Sequence, residues 1–275
     1  MTEQAGEQRL SQVVKVLTEV ASLVALATAL LYYFGWRRSE AQARAFGADA
    51  SVFGMSTQDY VLRSIDVVLL PAVVLLLGGL LAVWAHRKLV GSQRVNRVAS
   101  VLRFSWLLPL VFGVPLLLVS ESAGVWAFPF WFAIAVAGTW YGRVLGDTAS
   151  HWSTSFAVSL LLGALVAVCL FWMTERLAVL FGEARADEVK ADVGRVLPGV
   201  AVYSAQRLHL DGTGVEERVL TDPEAAYRYR YDGLYLLQQS GGKYFLITGE
   251  WSSNDGRMIV LSDDISMRIE FGPGR

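Results

Sequence analysis

IDVVLLPAVVLLLGGLLAVWA, residues 65–85, carries one acid in its first turn, Asp66, and no other formal charge. About 20 apolar residues rising 1.5 Å each cross a hydrocarbon core of about 30 Å. A helix packed into a soluble core shows a polar stripe, and this run has none. The stretch therefore reads as a membrane span, and the rest of the chain is read against it.

Composition agrees. Of 275 residues, 54% are hydrophobic and 18% are charged, where a soluble domain carries about 25% charge. A net charge of -1 argues against a nucleic-acid partner, which calls for a basic excess. The single cysteine, Cys169, excludes an intrachain disulfide. His86, His151 and His209 are scattered without metal-ligand spacing, and no sequence pattern calls for a cofactor.

Upstream, a polar segment (1–15) leads into a first span at about 16–36. Ala27-Thr28-Ala29 has the form of a cleavage site but lies inside the apolar run, which favours an uncleaved span over a signal peptide. Tyr32, Tyr33 and Trp36 close it as headgroup-level aromatics. Residues 39–56 read as a loop tucked against the headgroups, with a gate or partner surface as the sharper alternative. Ser56-Thr57-Gln58-Asp59 is a capping-box signal that starts the next helix. Pro71 inside that helix predicts a kink.

Downstream, Arg87, Lys88, Arg94, Arg97 and Arg103 stand in a loop without acids, the strongest cytoplasmic signal in the chain. Residues 104–120 and 125–142 read as two short spans, with a re-entrant hairpin as the rival. A last span at about 155–173 continues into a helical stalk, 174–197, which Gly194 and Pro198 end.

From 198 onward the period shortens. Tyr227-Arg228-Tyr229-Arg230-Tyr231 alternates strictly, which turns the tyrosines to one face and the arginines to the other. Gly241-Gly242 joins two apolar runs as a hairpin turn. Asp222-Pro223, Asn254-Asp255-Gly256 and Ser262-Asp263-Asp264 add turn chemistry. The expected fold is thus an α-helical transmembrane bundle of about five spans followed by a small all-β soluble domain, 198–275, barrel or sandwich.

YRYRYDGLYLL (227–237) and GGKYFLI (241–247), together with STQDYVLRS (56–64), resemble a group of actinobacterial-type multi-pass membrane proteins of uncharacterised activity. The likeness runs over most of the chain. It implies the same plan of helices and tail and carries no activity with it.

Candidate chemistry is thin. Glu19, Asp66, Glu121 and His151 lie in or near the apolar zone, and Glu19 with Asp66 is the candidate ion or proton path. Asp147, His151 and Ser155 repeat at one-turn spacing, which suits a hydrogen-bonded polar face better than a triad. Neither HExxH nor GxSxG occurs, so no catalytic or metal residue is assigned. Gly138, Gly142 and Gly146 form a small-xxx-small row for packing against another span or another copy. Arg228 and Arg230 are the candidate binding face of the tail. The favoured function is a multi-pass cell-membrane protein displaying a β module to a partner, ligand or envelope component. A transporter or channel-like protein is the alternative, and an enzyme comes third. The lipid bilayer is the first partner. The basic loop is expected in the cytoplasm and the tail outside.

Overall fold

The computed structural model describes every residue except 1, 90, 91, 93, 94, 147–155, 211, 222–225, 252–255 and 275, and the backbone alone at 2–11, 121–123, 126, 144 and 146. The chain divides into two compact units, Met1–Ile65 with Ala178–Arg275, and Asp66–Leu177. This division differs from the expected one of membrane bundle, stalk and tail, because the sheet clusters with helix ends from both halves of the chain.

Helix α1 runs unbroken from Thr2 to Ala45, 44 residues. It contains no proline, and Ser39 to Ala45 is rich in strong helix formers. The expected loop therefore begins only after residue 45. Gly47 ends α1 at φ +75°. Its amide donates to the Arg44 carbonyl (3.0 Å), and the Ala48 amide to that of Ala43 (3.0 Å), the paired bonds of a Schellman cap. A 3-10 turn, Ala50–Phe53, follows. Helix α2, Thr57–Leu89, starts on the expected capping box. The Asp59 amide donates to Ser56 Oγ (3.2 Å), and the Ser56 amide returns to Asp59 Oδ2 (2.8 Å). Pro71 lies inside α2 without ending it.

In the second unit, α3 (Val95–Arg103), a 3-10 turn (Ser105–Leu107), a π turn (Pro109–Gly113) and α4 (Val114–Val119) form one bent arm. Helix α5, Glu121–Gly146, runs back along it. A Cβ on Gly138 would stand 2.7 Å from Ser105 Oγ, and one on Gly142 would stand 2.8 Å from Leu102 Cβ and 2.9 Å from the Ala99 carbonyl. These glycines let the two backbones approach. Gly142→Leu is expected to overpack this seam by about 1–3 kcal/mol. Cys169, 5% exposed in the same unit, offers the readout. Its thiol should react with a fluorogenic probe at a lower temperature in the variant, and an unchanged midpoint would exclude close contact at Gly142.

Helix α6 runs from Phe156 to Ala191, and α7 from Val193 to Val196. Among the described residues three helices are long and apolar enough to cross a membrane: Gln12–Ala45, Thr57–Leu89 and Phe156–Ala191. The arm Val95–Leu107 with Pro109–Val119 passes only as a pair bent by 42°. Against an expectation of about five, the described residues thus supply three unbroken helices, or four with the bent pair. Pro109 and Pro115 break the regular bonding of that arm.

Strands β1 (Gly199–Ser204), β2 (Glu216–Val219), β3 (Tyr229–Ser240), β4 (Lys243–Thr248), β5 (Met258–Ser262) and β6 (Met267–Gly272) form one antiparallel sheet. Its order is β5-β4-β3-β1-β6, with β2 paired to β3. Gly241 and Gly242 turn the β3–β4 hairpin at φ +58° and +69°, as expected. One face buries Val200, Val202, Tyr231, Leu234, Leu246 and Leu261. The sheet curls round this core, bringing Tyr244 of β4 to 6.4 Å from Phe271 of β6 between ring centroids. Barrel and sandwich are both corrected: the described strands make a single sheet with free edges at β5 and β6. The second layer comes from helices instead. Phe46, Ala186, Val189, Val193 and Leu197 pack on Ile247, and Ala43, Ala50 and Phe53 on Phe245. The expected polar stalk is therefore packed, with Ala178, Ala186 and Val189 wholly buried.

Candidate functional site

Two features of the first unit stand out, a charged groove on the sheet and the seat that holds the sheet on helix ends. The groove follows from strand register. Arg218 of β2 faces Arg230 of β3, Arg230 faces Tyr203 of β1, and Tyr203 faces Arg268 of β6. Two residues along, Glu216 faces Asp232, and Glu270 faces Ala201. Side chains at i and i+2 share a face, so a row of arginines lies beside a row of carboxylates. The rows are tied within each strand. Arg218 donates to Glu216 (2.8 Å), Arg230 to Asp232 (2.8 and 3.1 Å), and Arg268 to Glu270. The guanidinium groups of Arg230 and Arg268 each lie 5.4 Å from the Tyr203 ring centroid, in cation–π range.

These bonds fix the charge states. The Glu216 hydrogen bond raises the Arg218 pKa, and the Asp232 hydrogen bond raises that of Arg230. The Arg268 hydrogen bond holds the Glu270 carboxyl below its ordinary value. Exposed pairs of this kind add little stability; their effect is to keep both signs of charge in place. Arg218, Arg230, Glu216, Asp232, Glu270 and Tyr235 line a groove of about 670 Å³, with Gly199, Gly214, Gly233, Gly272 and Gly274 leaving backbone open along it. The lining contains no Ser, Cys, His or Lys, and the described carboxylate pKa shift is downward.

The seat joins the sheet to helices. Trp251 meets Phe46 edge-on at 5.1 Å, and Phe245 meets Phe53 at 4.7 Å. Arg63, in the second turn of α2, donates to Gln42 Oε1 of α1 (3.2 Å) and to Gln238 Oε1 of β3 (2.8 Å). Arg38 of α1 donates to the Arg63 carbonyl (2.8 Å). Glu40, 2% exposed, accepts from the Ala50 amide (2.9 Å) and from Arg44 Nε (2.6 Å), which fixes the chain reversal after α1. A Cβ on Gly182 of α6 would stand 2.3 Å from the Arg38 carbonyl. The ends of α1 and α6 and the start of α2 thus meet the sheet in one unit.

The sequence-stated candidates fare unequally. Arg230 lies in the groove, while Arg228 is exposed beyond the start of β3. Tyr229 and Tyr231 face the core, with Tyr231 wholly buried and its hydroxyl accepting from the Leu208 amide (2.8 Å), whereas Tyr227, ahead of β3, lies 6.5 Å from Tyr203 between ring centroids. Glu19 is exposed on α1 and Asp66 on α2. Gly138 and Gly142 lie against α3 and the following turn, and Gly146 ends α5. Asp147, His151, Ser155, Trp152, Asp222-Pro223 and Asn254-Asp255 lie outside the described residues, as does the Glu121 side chain. Among the described residues, no three His, Cys, Asp or Glu side chains could hold a metal ion. Sequence reading missed Tyr203, Arg218, Arg268 and their acids. A signal was present in Glu216-x-Arg218, Arg230-x-Asp232 and Arg268-x-Glu270, opposite charges at strand spacing. Glu40 had no such signal.

The chain matches no family model, no curated protein and no solved structure.

Proposed function

We propose that the chain is a multi-pass membrane protein that displays its β module outside the cytoplasm, binds a partner in the charged groove, and passes the binding to its helices. The kinship to actinobacterial-type multi-pass proteins belongs to the same proposal. The observation that carries it is the seat: Arg63 bonds to β3 and α1 at once, and aromatic contacts fix the sheet on α1. A load on β3 therefore reaches α1 and α2 through direct, half-buried contacts rather than through a flexible linker.

Helix ends support the topology. Ala45 of α1, Thr57 of α2 and the last turns of α6 all belong to the unit that holds the sheet. Helix α2, 33 residues long, extends about 50 Å. If α2 and α6 each cross, residues 90–155 cross an even number of times. Two spans and a re-entrant hairpin both meet that condition. The excess of Arg and Lys in the segment 86–103 favours the cytoplasm for that segment.

The partner best suited to the groove is an extended segment bearing both signs of charge, matching arginine and carboxylate rows one strand step apart. A photo-crosslinking residue at Ala201 in the full-length protein in intact cells should give a discrete adduct, whereas one at Asp263 should not. Arg230→Ala with Arg268→Ala should abolish the Ala201 adduct. Equal labelling at both positions, or an adduct indifferent to the arginines, would sink the binding role. A phosphatase reporter that works only outside the cytoplasm should be active when fused at Arg275, and an inactive fusion would reverse the orientation.

A further inference from the structure

The second compact unit carries its own charge asymmetry. Residues 67–120 include no Asp or Glu, yet hold Arg87, Lys88, Arg94, Arg97 and Arg103. Side-chain contacts gather the described members at one end of the unit. His86, at the end of α2, lies 2.6 Å (Nδ1 to Oη) from Tyr141 of α5. The next residue, Gly142, is the one that meets Ala99 and Leu102 of α3. The last turns of α2 are therefore level with Tyr141 and Gly142 of α5 and with Ala99 to Leu102 of α3. Arg87, Lys88, Arg97, Arg103 and Arg143 are all exposed there.

The acids of the same helices lie at the far ends. Asp66 is 20 residues before His86 and Glu121 is 22 before Arg143, each about 30 Å away along its helix. That distance is the thickness of a hydrocarbon core. Tryptophans mark the boundary on the apolar side of the cations: Trp84 (54% exposed), Trp106 (53%) and Trp140 (36%). Lys88 Nζ stands 4.1 Å from the Trp84 ring centroid, folding its stem back along the aromatic. Aromatic rings at one level and ammonium or guanidinium groups just beyond match the depth of ester and phosphate in a lipid leaflet.

We propose that this cationic rim is a binding site for anionic phospholipid headgroups, held by Arg87, Lys88, Arg97 and Arg143 with the tryptophans along the acyl ester region. The site rests on the membrane reading given above and adds lipid selectivity to it. Each basic group near a leaflet surface attracts anionic lipid, and a headgroup met by two of them binds preferentially over a zwitterionic one. The rim would hold the helical unit at a fixed depth in the leaflet facing the cytoplasm.

The test uses full-length protein in vesicles of phosphatidylcholine containing a small fraction of spin-labelled phosphatidylglycerol or phosphatidylcholine. Wild type should select labelled phosphatidylglycerol by about tenfold. The selection should shrink in about 1 M salt, where screening length drops to about 3 Å. Joint replacement Arg87→Gln, Lys88→Gln, Arg97→Gln and Arg143→Gln should bring it to about twofold or less. The charge-keeping set Arg87→Lys, Lys88→Arg, Arg97→Lys and Arg143→Lys should retain it and controls for misfolding. Wild type without selectivity, or glutamine variants that keep it, would overturn the site. Displacement of the lipid by millimolar inorganic phosphate alone would overturn it in favour of a free-phosphate site. Flotation separates the two levels of inference. Protein that floats with neutral vesicles yet shows no selectivity loses only the lipid site, whereas protein that floats with none loses the membrane reading.

Discussion

Phe245→Ala is expected to lose about 3–5 kcal/mol of stability, the range for emptying an aromatic site in a packed core. Phe245 is wholly buried on β4. Its ring meets Phe53 at 4.7 Å and 72°, and Ala43 and Ala50 close the same cluster. The partners come from the end of α1, the 3-10 turn and the sheet, so the cavity would open where helices and sheet join. Total stability of a domain is about 5–15 kcal/mol, so the variant should populate a state with the sheet released from α1. Chemical denaturation of the detergent-solubilised chain, followed by near-UV circular dichroism, gives the loss. A protease should then release the segment after 198 at denaturant levels that leave wild type intact. A double cycle with Phe53→Leu and Phe245→Leu should show coupling of about 0.5–1.5 kcal/mol for the edge-to-face pair. A change below about 1 kcal/mol for Phe245→Ala would mean that the ring does not join the two layers.

The apolar helices and the strand-rich tail were legible because each is written in a local period. Residues 65–85 are uniformly apolar, and Gly241-Gly242 admits the left-handed backbone that a tight hairpin needs. The capping box at Ser56 and Asp59 was legible for the same reason, since its donors and acceptors lie three residues apart. What stayed hidden depends on distant pairs. Phe46 and Phe53 look like headgroup anchors in a polar loop until β4 supplies Ile247 and Phe245 as partners. Glu40 looks like a solvated charge in a loop, yet its carboxylate is buried because a chain reversal ten residues later presents the Ala50 amide. The groove lies between these extremes. Each opposite-charge pair is local, but the row becomes continuous only when β2, β3, β1 and β6 align in register.

That dependence on distant pairs is sharpest at Gly35, where one methyl group should reverse an ordinary rule. A Cβ at Gly35 would stand 1.7 Å from the Tyr60 carbonyl oxygen and 2.6 Å from its carbon. Both obstacles are backbone, so no side chain can swing aside. Glycine to alanine within a helix commonly adds up to about 1 kcal/mol through helix propensity. Gly35→Ala is expected instead to destabilise by about 2–3 kcal/mol, because α1 and the start of α2 must separate. Separation would also stretch the Tyr32–Tyr60 edge contact at 5.3 Å and the bond from Arg38 to the Arg63 carbonyl. Gly79→Ala in α2 is the matched control, since nothing lies within 4 Å of a Cβ there; it should be neutral or slightly stabilising. Thermal midpoints of both variants and wild type in the same detergent decide the matter. Opposite signs for the two substitutions would establish the backbone contact between α1 and α2, and the same sign would dismiss it. The contact sits one helical turn from Arg38 and Arg63, so loosening it should also weaken the route from groove to helices. The crosslink at Ala201 would then persist in Gly35→Ala while any response measured in the helices declines, a combination that a fault in the groove itself cannot produce.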